Sequence, residues 1–129
     1  MPNTPSRRCA RGAASVAGLA GAPGLGAYGP AKAGAIELAQ TLALEEARFN
    51  IRANALCLIW TETPMVDAFI GGSGRHDPAV MRERLLADSP LGRLGVPSDV
   101  ASAATFLASD DAAFISGIAF PIDGGHGAR

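Results

Sequence analysis

Apolar and polar positions along the 129-residue chain change their period several times, and each change predicts an element. Residues 1–14 show no period and are expected to form an irregular start. From Ser15 to Ala27 the string SVAGLAGAPGLGA is glycine-rich and holds a proline, the composition of a loop. Between Tyr28 and Phe49 apolar or small residues fall on most turns of a helical period and no glycine follows Gly34, which predicts a long helix. Pro30 sits in its first turn, where a missing N–H costs little.

The next segment, IRANALCLIW at residues 51–60, is nearly continuous in apolar residues and too short for a typical helix. It fits a strand buried on both faces. After a loop with Thr61, Glu62, Thr63 and Pro64 come MVDAFI and the turn-rich GGSG at Gly71–Gly74. Asp77-Pro78 then opens a short helix, AVMRERLLAD, with a weak apolar face at Val80, Leu85 and Leu86. Ser98 is the expected N-cap of a further helix, DVASAATFLAS, in which Val100, Ala103, Ala104 and Leu107 follow helical spacing. GIAFPIDGG reads as a last short strand closed by a glycine turn. Helix alternating with buried strand predicts an α/β fold with a parallel sheet covered by helices, although only two convincing strands can be read. Two strands have little stability by themselves, so the chain is expected to lack neighbours for its sheet or to borrow them.

Composition narrows the function classes. Eleven Lys and Arg against 12 Asp and Glu leave a net charge of -1, which gives no electrostatic footprint for nucleic acid. With 48% hydrophobic residues the chain is too apolar for disorder. Lys32, Glu37, Glu45, Arg48 and Arg52 interrupt its most apolar stretch, so no membrane span is expected. Cys57, inside an apolar run, reads as a buried free thiol rather than a disulfide partner of the distant Cys9, which suits a reducing cytoplasm. Arg7, Arg8 and Arg11 without an acid faintly suggest a targeting segment, but a plain disordered start is the expectation. His76 and His126 have no ligand spacing, so no metal site is expected. Asp123 is expected to set a turn.

The single tyrosine, Tyr28, and the single lysine, Lys32, stand four residues apart and share a helix face. One reading is a solvated helix start with the tyrosine beside a lysine stem. The other is chemical: a phenol, with an ordinary pKa of about 10, becomes a usable base when an ammonium favours its phenolate. Tyr28 could then exchange a proton with an alcohol or carbonyl oxygen. A serine hydroxyl could supply the further donor that such an oxygen needs, and Ser15 lies thirteen residues earlier.

Taken together, SVAGLAGAPGLGAYGPAK, IRANAL, TETPM and the stretch from PLGRLGVPSD to PIDGG strongly resemble the C-terminal half of the short-chain dehydrogenase/reductase family, in its classical branch, over roughly residues 14–126. The resemblance implies a doubly wound, Rossmann-like fold of which residues 15–129 are the catalytic and substrate-binding half, with residues 1–14 foreign to the fold. It also implies an NAD(P)-dependent oxidoreductase interconverting a secondary alcohol and a ketone. Tyr28 would be the general acid/base, Ser15 would orient the substrate oxygen, and Lys32 would favour the tyrosinate and bind the nicotinamide ribose. Thr63 would contact the nicotinamide end of NAD or NADP.

Several family features do not precede Ser15: the apolar strand that should lead into it, a glycine-rich phosphate-binding turn, the residue that selects NAD or NADP, an N-N-A-G segment and a further catalytic asparagine. Gly21, Gly24 and Gly26 do not replace that turn, on the expectation that no strand precedes them. Leu58-Ile59 stand where the family commonly has Pro-Gly, and their bulk is expected to crowd the nicotinamide. Trp60, Met65, Val66, Phe69 and Ile70 fall where the family places a substrate lid and weakly suggest an apolar substrate, though they could equally be core.

Two other classes of function stay open. The chain could be an inactive fragment that keeps the catalytic residues alone. It could also be an interaction module, because Ala31, Ala35, Ala39 and Ala43 line one side of the long helix, which in the family lies in a subunit interface and implies a homo-oligomer.

Overall fold

Isolated strands rarely tolerate six consecutive buried residues, yet Arg52–Cys57 are all buried, because the strand that carries them runs through the middle of a sheet. The computed structural model describes residues 8–72, 74 and 76–129. Its elements in chain order are β1 (Arg8–Ser15), α1 (Tyr28–Glu45), β2 (Ile51–Leu58), α2 (Pro64–Gly71), α3 (Pro78–Ala87), α4 (Pro97–Ala108) and β3 (Ala119–Ile122), with short 3-10 turns between them. The described strands form one parallel sheet in the order β1-β2-β3.

Side chains of β2 alternate between two helical layers. Ala55 and Cys57 join Ala14 of β1 against Ile36 and Ala39 of α1. Leu56 faces the other way, against Leu107 of α4 and Ala112. A third cluster, Val66, Leu85 and Leu94, knits α2 to α3 and the loop before α4, with Trp60 packed against it. Cys57 is a free, fully buried thiol, and burial pushes its pKa up, so it stays protonated and packs as a small apolar side chain. Among the described residues no helix is long and apolar enough to cross a membrane.

The structure corrects three sequence expectations. Residues 8–14, expected to be irregular, belong to β1, which pairs with β2 along its whole length from Arg8↔Ile51 to Ser15↔Leu58. RCARGAAS has little strand propensity of its own, and hydrogen bonding to a buried neighbour overrides it. Residues 1–7, expected to be disordered, lie outside the described residues. The expectation of only two strands fails for the same reason.

The second correction concerns the long helix: α1 ends at Glu45 and continues only as a separate 3-10 turn, Ala47–Phe49, closed by Asn50 in the left-handed region at φ 57°. The third is the start of α4. Val96, not Ser98, is its N-cap residue, and the Asp99 carboxylate caps it from within by accepting the Val96 N–H at 2.8 Å.

Asp99 also binds Arg93 through both carboxylate oxygens, at 2.7 and 3.0 Å. The Arg93 guanidinium, with help from the Val96 N–H, holds the Asp99 pKa down to about 2. A carboxyl whose folded pKa is depressed stabilises the fold fully above its unfolded value, about 3.9, and loses that stabilisation as pH falls toward 2. Thermal melts should therefore show the parent chain more stable than Asp99→Asn near neutrality, with the gap closing between about pH 4 and pH 2.

Candidate active site

Parallel strands collect the loops that follow them at one edge, where α/β sheets bind ligands. Ser15 ends β1 and pairs with Leu58, which ends β2 and pairs in turn with Ile122, the end of β3. The candidate residues cluster around this edge.

Ser15 turns the chain there: its Oγ accepts the Ala17 N–H at 3.1 Å and caps the 3-10 turn Val16–Gly18. That bond uses an oxygen lone pair and leaves the hydroxyl proton to donate elsewhere. Tyr28 opens α1 one loop later and is 46% exposed. One turn on, the Lys32 ammonium lies 5.6 Å from the Tyr28 ring centroid and donates to the Ala13 carbonyl of β1 at 3.5 Å.

The first turns of α1 press directly on the turn after Ser15. A Cβ on Gly18 would lie 2.7 Å from the Lys32 carbonyl carbon and 2.8 Å from the Ala33 nitrogen, so only glycine fits. This contact seats the first turns of α1 on the 3-10 turn that follows Ser15. Next to them an open groove of about 330 Å³ is lined by Gly18, Leu19, Leu25, Gly29 and Pro30.

Thr63 stands on the loop leaving β2. Its Oγ1 accepts the Val66 N–H at 3.4 Å and caps α2. Tyr28 and Lys32 are thus in contact with each other and Ser15 lies one short turn away, while Thr63 is set on the neighbouring loop of the same sheet edge.

Leu58 and Ile59 extend the sheet. Leu58 packs toward the Leu107 cluster, and the Ile59 N–H donates to the Ile122 carbonyl at 3.4 Å. Gly21, Gly24 and Gly26 do follow a strand, β1, contrary to the reason given against them from sequence. They still do not make a nucleotide turn: a Cβ at any of the three meets nothing within 4 Å, whereas the close helix approach that such a turn needs occurs at Gly18.

The alanines of α1 correct a further expectation. Ala39 and Ala43 are buried and Ala35 is packed within this chain's own core, so those three do not form an open interface; Ala31 is exposed. Asp123 sets a turn as expected, its carboxylate accepting the Gly125 and Gly127 N–H groups at 3.0 and 2.8 Å.

A family model described as enoyl-(acyl carrier protein) reductase matches residues 12–127. The chain belongs to the short-chain dehydrogenase/reductase family. Among curated relatives it is 47% identical over 112 residues to 4-formylbenzenesulfonate dehydrogenase TsaC1/TsaC2 of Comamonas testosteroni, an alignment covering 87% of this chain and 43% of the relative. Among solved structures, an oxidoreductase of the short-chain dehydrogenase/reductase family from Burkholderia thailandensis is 37% identical, with a TM-score of 0.78 and coverage of 96% of this chain and 46% of that one. A xylitol dehydrogenase solved with NAD+ bound is 32% identical at a TM-score of 0.82, covering 91% and 48%. The chain therefore spans a little under half the length of the relatives it matches, and its Rossmann-like sheet is part of that fold.

Within this family member, sequence reasoning missed Asp88. Its carboxylate accepts the Trp60 indole N–H at 2.9 Å across 28 residues of chain, a separation that no local pattern reveals.

Proposed function

We propose that the chain carries the catalytic half of an NAD(P)-dependent oxidoreductase that interconverts a secondary alcohol and a ketone. The observation that supports this reading is the Tyr28–Lys32 contact, tied to β1 by the Lys32 bond to the Ala13 carbonyl, two residues before Ser15. The donor chemistry suits a nicotinamide nucleotide: an ammonium has three N–H donors, of which the Ala13 carbonyl takes one of those on Lys32, leaving others for ribose hydroxyls. Thr63 would meet the nicotinamide end. NAD and NADP both fit this half of the site.

When bound, the nucleotide supplies or accepts the hydride. The residues of the chain handle the proton. In ketone reduction the Tyr28 hydroxyl donates its proton to the substrate oxygen as negative charge develops there, while the Ser15 hydroxyl donates a hydrogen bond to the same oxygen. In alcohol oxidation the Tyr28 phenolic oxygen takes the hydroxyl proton, with the Lys32 ammonium 5.6 Å from the centre of its ring.

A second reading has its own support. The chain spans less than half of its relatives' length, and among the described residues β1 has a strand neighbour on one side only. The chain could then act as a partner-binding or self-associating unit without turnover. Fluorescence titration with NADH separates the two: saturable binding by the 129-residue chain, followed by oxidation of NADH on adding a ketone, is the expected result of the first. Absence of any binding would leave the second.

A further inference from the structure

The turn that follows Ser15 and the start of α1 meet through a glycine on each side. A Cβ on Gly18 would lie 2.7 Å from the Lys32 carbonyl carbon, 2.8 Å from the Ala33 nitrogen and 2.9 Å from the Lys32 oxygen. All three atoms are backbone, so no rotamer change relieves the contact. From the other side, a Cβ on Gly29 would lie 3.2 Å from the Ala17 carbonyl oxygen.

This seat joins the candidate residues in one short run of contacts. Ser15 ends β1, and its Oγ fixes the turn Val16–Gly18 by accepting the Ala17 N–H at 3.1 Å. Gly18 then rests on the peptide between Lys32 and Ala33. The Lys32 ammonium lies 5.6 Å from the Tyr28 ring centroid and returns to β1 through the Ala13 carbonyl at 3.5 Å. The covalent route from that turn to Tyr28, residues 19–27, is exposed at every position but Leu25 and has open space around Gly21, Gly24 and Gly26. It imposes little on the spacing of Ser15 and α1, which leaves the Gly18 seat to set it.

We propose that Gly18 is a positioning residue of the candidate active site: the lack of a side chain there sets how the Ser15 hydroxyl and the Tyr28–Lys32 pair are placed relative to one substrate oxygen. This role rests on the functional reading above; the seat of α1 on Gly18 does not. A methyl group at this position would push α1 from the turn by about 0.7 Å, the step from 2.7 Å to an ordinary contact at 3.4 Å. Misplacing groups that act on one atom by about 1 Å can cost about one hundredfold in rate.

Tyr28, Lys32 and Trp60 are each the single residue of their type, so isotope labelling of one residue type at a time gives one backbone amide resonance for each. In the full chain, Gly18→Ala is expected to move the Tyr28 and Lys32 resonances and to leave that of Trp60, which packs in the separate Val66, Leu85 and Leu94 cluster, in place. Unmoved Tyr28 and Lys32 resonances would overturn the seat.

Turnover of NADH or NADPH with acetone, cyclohexanone or acetophenone, by the protein that carries this chain, tests the positioning. Gly18→Ala should lower kcat by about ten- to one hundredfold with KM values within about threefold and a cooperative melt retained. In a Ser15→Ala background, where no hydroxyl is left to place, the same substitution should cost less than about threefold. An equal loss in both backgrounds would mark a merely structural effect and overturn the role, as would kcat equal to the parent. Loss of the cooperative melt would assign Gly18 to folding and overturn it too. A parent without turnover on any of the three ketones would sink the functional reading and the role together, and the resonances would still decide the seat.

Discussion

Tyr28→Phe is expected to lower kcat for alcohol oxidation and ketone reduction by about one hundred- to ten thousand-fold, the usual contribution of a positioned acid/base group. The substitution removes one oxygen and leaves the ring beside the Lys32 ammonium. Tyr28 is 46% exposed at the start of α1 and belongs to none of the three core clusters, so the melting temperature should barely move. Loss of turnover with an unchanged melt is the signature of proton transfer. Turnover equal to the parent would show that the hydroxyl moves no proton, and the assignment of Tyr28 would be wrong whatever the substrate.

Asn54→Leu should produce the largest loss of stability among single polar substitutions in the sheet. Asn54 is fully buried in β2. Its Nδ2 donates to the Ile115 carbonyl at 3.1 Å, and its Oδ1 accepts the Ile118 N–H at 3.2 Å. Arg52 donates from the same strand to the Ile115 and Ser109 carbonyls, and the Ala53 N–H donates to Ser116 Oγ. Together these bonds clamp the segment between α4 and β3 and set β3 in register with β2. Leucine matches the amide in size, so the loss comes from the half-buried Ile118 N–H left without its acceptor and a weakened Ile115 carbonyl, about 3 kcal/mol in all. A fall in melting temperature of about 10 °C is expected for a domain of this size. A melt within a degree or two of the parent would mean that water replaces both bonds and that the clamp is unimportant.

The I-R-x-N string was legible as a family motif, but its work was not. From sequence, Arg52 and Asn54 are polar interruptions in an apolar strand. Their partners lie 57 to 64 residues away, and only the folded backbone brings those carbonyls and N–H groups to the strand. Asp88 was missed for the same reason. Residue pairs close in sequence were readable: Tyr28 and Lys32 share a face because helical geometry requires it, and Asp77 caps α3 through the Ala79 N–H as its position before Pro78 predicts.

Strand β1 marks the boundary between the two kinds of information. Its alanines, glycine and arginines give no period, so nothing local distinguishes RCARGAAS from a loop. It becomes a strand because β2 offers it eight residues of backbone partners and α1 covers Ala14. By itself the sequence determined the α/β alternation, the buried central strand, the free Cys57 thiol and the short-range Tyr28–Lys32 pair, since apolar period and chain spacing act within a few residues. Only the tertiary structure decided the third strand, the close seat of α1 on Gly18, the Asn54 clamp and the Asp88 hold on Trp60. Each of these depends on hydrogen bonds and contacts between segments that the chain brings together only when the sheet has formed.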